Sequence, residues 1–274
     1  MKRLIASALM LLLSLGSQAQ MRLVSIDGSI TEIIYALGGE QQLVGVDTTS
    51  RYPHAATQLP DVGYMRQLSV EGILSLTPTT VIATEDAGPE AVFSQLKAAG
   101  VEVVRLQDEA SVAGVQAKIA AVAQLMGREA QGKALQQQVE QQVAQARQRL
   151  APLAGKRALL LLGAGNRGLM AAGQGTQGQA LLHMLGLKNV VGYQGYKPLS
   201  PESALAAAPE VVIVAQTGPL EASSVKQQLA LTPAVKNDQL VMLDAGLLLG
   251  FGPRLGAALQ QLEQALVVPA VAEH

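Results

Sequence analysis

Leu68-Ser69-Val70-Glu71-Gly72-Ile73-Leu74-Ser75-Leu76-Thr77-Pro78-Thr79-Thr80-Val81-Ile82 and Leu199-Ser200-Pro201-Glu202-Ser203-Ala204-Leu205-Ala206-Ala207-Ala208-Pro209-Glu210-Val211-Val212-Ile213 share one pattern at an offset of 131 residues. Leu, Ser, Glu, Leu, Pro, Val and Ile recur at the same places with no gap. Each copy reads as a short helix followed by a hydrophobic strand. The Ser accepts from orphan helix N–H groups, the Glu lies in the first turn, and the Pro ends the helix before the strand. The spacing is too long for a solenoid period. It divides the chain into two similar α/β lobes, each presenting a carboxylate at the same place. Two lobes imply a cleft, and a cleft implies a ligand.

Outward from the repeat, strands alternate with helices. Arg22–Ile26, Leu43–Val46, Val81–Ala83 and Val101–Leu106 read as strands, with helices over Thr31–Leu37 and Glu90–Ala99. After Gly155 the same rhythm restarts, with strands at 157–162, 211–215 and 239–243 and helices at 179–187, 200–208 and 253–266. Such alternation calls for parallel sheets covered on both faces. Between the two stretches the rhythm changes. Val112–Met126 reads as one helix, and Glu129–Leu150 as a second without Gly after Gly132 or Pro before Pro152. Ala134, Val139, Val143 and Leu150 give the second helix an intermittent apolar stripe. It would span ~33 Å at ~1.5 Å per residue, a strut rather than a flexible linker. The fold class expected is therefore α/β: two Rossmann-like lobes with central parallel sheets, joined by one long rigid α-helix, with the ligand cleft between them. The division expected is 1–19 leader, 20–128 N-terminal lobe, 129–152 linking helix and 153–274 C-terminal lobe.

The leader reading comes from Lys2 and Arg3, the apolar run Ile5–Leu15 and the small-x-small site Ser17-Gln18-Ala19. Together these predict a cleaved secretory signal peptide and a periplasmic protein. The run is too short for a transmembrane helix and no later segment qualifies, so no stable membrane insertion is expected. The sequence has no Cys, so neither a lipid-bearing cysteine nor a disulfide is available. Formal charge moves from −1 to −3 when Lys2 and Arg3 leave with the leader. That balance argues against nucleic acid or an anionic membrane surface as a partner. Aromatic residues are few, five Tyr, two Phe and no Trp, so each Tyr is a candidate for the site.

Catalytic patterns are weak. Gly163-Ala164-Gly165-Asn166-Arg167-Gly168 matches the G-x-G-x-x-G fingerprint and keeps a nucleotide-dependent enzyme open as an alternative. Against it, the segment near position 185 holds no Asp or Glu for a ribose, and further glycines follow where a helix should begin. His54, His183 and His274 make no metal spacing, and no G-x-S-x-G elbow is present. No enzyme activity is expected.

Two Gly-rich turns carry more information. Gly63-Tyr64-Met65-Arg66-Gln67 immediately precedes the first repeat helix. A cation beside a tyrosine favours the phenolate, a hard anionic ligand suited to ferric iron. From composition alone, Tyr64 reads as readily as a packing or hydrogen-bonding tyrosine. Gly250-Phe251-Gly252-Pro253-Arg254 turns into the last helix, with Pro253 at the first helical position and Arg254 in the first turn, where a cation opposes the helix dipole. An unfavourably placed cation suggests an anionic partner.

With these segments together, the mature chain resembles the periplasmic haem-binding proteins of bacterial haem ABC importers, in the class where a helix joins two lobes, alongside vitamin B12 and ferric-siderophore binders. The segments that carry the resemblance are 63–72, Glu85-Asp86-Ala87-Gly88-Pro89, Tyr196-Lys197 before Leu199-Ser200, and 250–254. The resemblance implies ferric protoporphyrin IX as ligand, Tyr64 as axial tyrosinate and metal ligand, and Arg66 near the haem. It implies that Arg254 hydrogen-bonds the phenolate oxygen from the opposite lobe. Met65 and Tyr196 are expected to cover the porphyrin. Glu71 and Glu202 are expected to dock onto basic pockets of an inner-membrane permease dimer, with the carrier itself a monomer. Relatives that stack two haems use a His of the C-terminal lobe. Residues 163–178 contain none, so one haem is expected, with Met170 as a possible substitute ligand. Ferric siderophore or cobalamin remains the alternative within the same class.

Overall fold

The computed structural model describes residues 21–163 and 168–267. The leader, the middle of the G-x-G-x-x-G segment and His274 lie outside the described residues. The N-terminal lobe runs β1 (Leu23–Ile26), α1 (Gly28–Ala36), β2 (Leu43–Val46), α2 (Val70–Leu74), β3 (Thr80–Thr84), α3 (Glu90–Ala98), β4 (Glu102–Leu106) and α4 (Val112–Leu125). Its four strands are all parallel in the order β2-β1-β3-β4. Every residue of β1 and β3 is buried, which explains continuous apolar runs instead of alternation.

The helix α5 (Glu129–Leu150) then leads into the C-terminal lobe. That lobe runs β5 (Arg157–Gly163), β6 (Leu169–Ala172), α6 (Gln177–Met184), β7 (Lys188–Asn189), β8 (Tyr196–Pro198), α7 (Pro201–Ala207), β9 (Val211–Gln216), α8 (Ala222–Gln228), α9 (Pro233–Lys236), β10 (Leu240–Asp244), α10 (Ala245–Leu249) and α11 (Leu255–Leu266). The strands β10-β9-β5 form a parallel core, with β7 also parallel to β5. The sequence did not anticipate β6 and β8, which extend this sheet antiparallel. Gly163 pairs with Leu169, so the glycine fingerprint joins two antiparallel strands. Among the described residues the strand β6, not a helix N-terminus, follows it, so no helix dipole is set to receive a pyrophosphate there.

The repeat folds alike in both lobes. Ser69 accepts from the Gly72 N–H at 3.0 Å and Ser200 from the Ser203 N–H at 3.2 Å. In both copies a residue in the left-handed region directly precedes the proline: Thr77 (φ 47°), three positions past the end of α2, and Ala208 (φ 43°), the C-cap of α7. Proline disfavours the right-handed helical conformation for its predecessor, so the helix cannot continue. An arginine at the head of each lobe's first strand closes the same helix end. Arg22 Nη2 donates to the Leu76 carbonyl at 2.6 Å, and Arg157 Nη2 to the Ala207 carbonyl at 2.5 Å. A cation at a helix C-terminus is favourable, so each arginine ties strand to helix.

Helix α5 is held at both ends. Val139, Val143, Ala146 and Leu150 form its buried stripe, while Ala134 is exposed and Gly132 takes the inward place. At Gly132 the helix approaches α4 so closely that an added Cβ would lie 2.5 Å from the Ala123 Cβ. Gln136 Nε2 donates to the Gln116 carbonyl of α4 at 2.8 Å. In the other half, Gly256 of α11 lets Gln142 pack against it, and Arg149 pairs with Glu263 at 3.5 Å. One apolar cluster runs from Leu23 and Ile33 through Val143 to Leu160 and Leu262, so the helix is part of a shared core.

Candidate functional site

The lobes enclose a cavity of about 720 Å³, within the usual range for small-molecule sites. Its N-terminal wall comes from the loops after β1, β2 and β3, the strand ends where ligands bind in parallel α/β sheets. The opposite wall comes from residues after β9 and β10, and from α6, α10 and Arg254.

Tyr64 stands on the N-terminal wall with 43% of its surface exposed. Gly63 makes the approach possible: its φ of 96° is readily reached only by glycine, and its N–H donates to Asp61 at 2.7 Å. The Gln67 N–H closes the turn onto the Tyr64 carbonyl at 2.7 Å. Gly88 fastens the loop from behind, donating to the Met65 carbonyl at 2.8 Å and accepting from the Leu68 N–H at 3.1 Å. Met65 is buried, packs in the N-terminal lobe's apolar cluster, and touches the cavity. Arg66 also lines the cavity and pairs with Asp86 at 2.9 Å. Both side chains are about half exposed, so this pair adds little stability and leaves the guanidinium free to exchange partners.

Arg254 reaches the same cavity from the C-terminal lobe. It occupies the N-cap position of α11 rather than its first turn, because the buried Phe251 takes a left-handed conformation and delays the helix to Leu255. Its Nε donates to Glu32 Oε2 at 3.0 Å, and its Nη2 donates to Glu32 Oε1. The guanidinium carbon lies 3.7 Å from the centre of the Tyr52 ring. Thus the structure brings Arg254 and Tyr64 to one cavity but joins Arg254 to Glu32 and Tyr52, not to the Tyr64 phenol. Burial pushes the Glu32 carboxyl above its ordinary range despite the Arg254 hydrogen bonds that pull it down.

Tyr196 is not among the residues lining the cavity. It starts β8 and packs against the shared core, and burial raises its phenol above the ordinary value. Met170 likewise belongs to β6 and does not line the cavity. Glu71 and Glu202 lie in the first turns of α2 and α7, exposed and outside the cavity.

Arg51, Tyr52 and Glu32 are among the cavity residues that the sequence did not point to. Arg51 Nη1 donates to the Thr217 carbonyl across the cleft at 3.2 Å and has no carboxylate partner among the described residues. Tyr52 is 49% exposed and follows it directly, and the scarcity of tyrosine was the one available signal. Glu32 had no signal, since it sits in an otherwise apolar helix beside Ile30, Ile33 and Ile34.

Beneath the cavity, the Lys118 ammonium is buried and donates to Asp108 at 2.6 Å, to Ser29 Oγ at 3.0 Å and to the Gly250 carbonyl at 3.5 Å. Asp27, which caps α1 by accepting from the Ser29 N–H at 2.7 Å, has its carboxyl raised by burial, with Lys118 opposing the shift. The carboxylates lining the cavity are therefore mostly committed to caps or cations, while arginine N–H donors remain. That arrangement suits a ligand with a large apolar body and anionic edges.

The periplasmic binding protein family model matches residues 23–247. A periplasmic heme binding protein from Pseudomonas aeruginosa superposes with a TM-score of 0.82 at 35% identity, covering 90% of this chain and 92% of that one. A periplasmic heme-binding protein from Roseiflexus sp. RS-1, in apo form, superposes at 0.83 with 39% identity, covering 90% and 98%. A vitamin B12-binding protein of Yersinia pestis (strain Pestoides F) is 28% identical over 217 residues, 78% of this chain and 76% of that protein.

Proposed function

The chain belongs to the periplasmic binding protein family, and on that premise we propose that it carries ferric haem to an inner-membrane ABC importer. Membership makes it a binding protein rather than an enzyme. The observation that carries the haem reading is Tyr64: a half-exposed phenol on a glycine-built turn, facing a cavity with arginines on both walls. A tyrosinate is a known haem ligand type. Met65, Leu249 and Tyr52 offer apolar surface to the macrocycle, and Arg51, Arg66 and Arg254 offer N–H donors to its carboxylates. The two heme-binding relatives, at 35% and 39% identity, support the same ligand class.

Delivery follows from the exposed pair Glu71 and Glu202. Each is placed by the same capped helix on its own lobe, so a near-twofold carrier meets a twofold permease with one carboxylate on each side. The leader read over residues 1–19 would take the chain to the periplasm as a monomeric carrier.

Cobalamin is the second reading, favoured by the vitamin B12-binding relatives. Titration of purified protein with haemin, followed by competition with cyanocobalamin, separates the two. Haem binding gives a saturable Soret band with a high-spin ferric spectrum that excess cyanocobalamin leaves in place. Displacement by cyanocobalamin, or no saturation with haemin, would favour the second reading.

A further inference from the structure

The geometry points to Glu32 and Tyr52 as positioning residues that hold Arg254 in the cleft for an anionic group of the ligand, so that one lobe sets the cation of the other. Glu32 belongs to α1 of the N-terminal lobe, and Arg254 starts α11 of the C-terminal lobe, 222 positions away. The carboxylate takes one edge of the guanidinium, through Nε and Nη2. The Tyr52 ring takes its face at 3.7 Å. An edge and a face together fix a planar group in position and orientation, which neither contact does alone. Nη1 is then the nitrogen that makes no hydrogen bond to any described residue, in a side chain that lines the cavity.

Surrounding contacts make the clamp stiff. Glu32 is buried, so solvent does not compete for its oxygens. Gly252 lies against it: an added Cβ would sit 3.3 Å from Glu32 Oε2 and 3.2 Å from the Ser29 Cβ, so a larger residue would push the carboxylate off Arg254. Lys118 ties Ser29, on the same helix as Glu32, to the Gly250 carbonyl two positions before that glycine. The same contacts join the two lobes at the base of the cleft. An arginine with one edge and one face occupied keeps its remaining N–H donors, two on Nη1 and one on Nη2, in preset directions. Its recognition should discriminate by where a ligand's anionic group falls, not by total charge.

This inference rests on the reading that the cleft binds haem, and a double-mutant cycle tests it. Haemin affinity and the ferric spectrum are measured for wild type, Arg254→Ala, Glu32→Ala and the double variant, with apo melting temperatures recorded for each. The expected result is a loss of about tenfold in affinity for Glu32→Ala and no further loss when it is added to Arg254→Ala, because Glu32 acts through Arg254. Glu32→Gln, which keeps an oxygen for the guanidinium, should recover most of the affinity, and Tyr52→Leu should fall between. Equal losses from Glu32→Ala in both backgrounds, or haem affinity unchanged by Glu32→Ala, would overturn the clamp while leaving the haem reading intact. If Glu32→Ala does not fold, Tyr52→Leu with and without Arg254→Ala carries the same cycle. Failure of wild-type protein to bind haemin would instead remove the functional reading and the clamp with it.

Discussion

Thr77 and Ala208, 131 positions apart, occupy the same left-handed backbone conformation between equivalent helices and strands, each one residue ahead of a buried proline. Neither residue is a glycine, and a β-branched threonine is poorly suited to that region. The strain is tolerated because the chain must leave the helix and enter a buried strand within three residues. Replacing Thr77 with Gly should therefore raise stability by up to about 1 kcal/mol, the relieved backbone strain being partly offset by unfolded-state entropy. Urea unfolding measures it, and destabilisation would show that the Thr77 side chain contributes more than the backbone costs.

Tyr64→Ala should weaken haemin binding by about 100-fold and shift the ferric spectrum, since loss of a metal ligand costs at least as much as loss of its supporting partners. Tyr64→Phe keeps the ring and should lose the spectrum equally. Wild-type affinity in either variant would assign the iron to another residue.

Transport should depend on the paired carboxylates. Glu71→Ala with Glu202→Ala should leave haemin titrations unchanged, because both side chains lie outside the cavity, and should reduce uptake into permease-containing vesicles at least as much as either single change. Full uptake by the double variant would reject the docking role.

Acid should not destabilise the base of the cleft. Burial holds the Asp27 carboxyl above its ordinary 3.8 and the Glu32 carboxyl above its ordinary 4.5. The folded chain then binds more protons at these sites than the unfolded chain between those values and the raised folded ones. Their contribution to stability is present below the ordinary values and is lost as pH rises through the raised ones. Lowering the pH from neutrality into that window should make these two groups stabilising, and Asp27→Asn should reduce that pH dependence. Melting curves from neutrality down through the ordinary values of 3.8 and 4.5 test the sign. An identical pH dependence in wild type and Asp27→Asn would contradict it.

Gly132→Ala gives a packing test. Helix propensity alone favours Ala by about 1 kcal/mol. The added Cβ would meet Ala123 at 2.5 Å, and forcing α4 and α5 apart costs about 1–3 kcal/mol. Net destabilisation by about 1 kcal/mol is expected in chemical unfolding, and a gain in stability would mean the two helices part freely.

The repeat, the parallel strands and the bounds of α5 could all be read in advance because their signals are local. A run without proline between 129 and 151 fixes a helix, and a Ser-x-Glu pattern ahead of Leu and Pro fixes a capped turn before a strand. The antiparallel strands β6 and β8 escaped because they are four and three residues long, sit among glycines, and are defined by distant pairing: Met170 with Pro198 and Ala172 with Tyr196. Tyr64 could be found because it stands immediately before the repeat. Glu32 could not, because its partner lies 222 residues away and its neighbours in the helix are isoleucines. Arg254 lines the cavity, but the direction of its guanidinium depends on that unseen partner.

Helix α5 contributes one side to a single apolar cluster that includes Leu23 near one end of the described chain and Leu266 near the other. Neither lobe has a complete interior without it, so two lobes do not mean two melting units. A calorimeter should record one cooperative endotherm, and a chain cut between α4 and α5 should yield fragments that recover structure only when mixed. The molecule keeps its lobes aligned by making them depend on the same helix to stay folded.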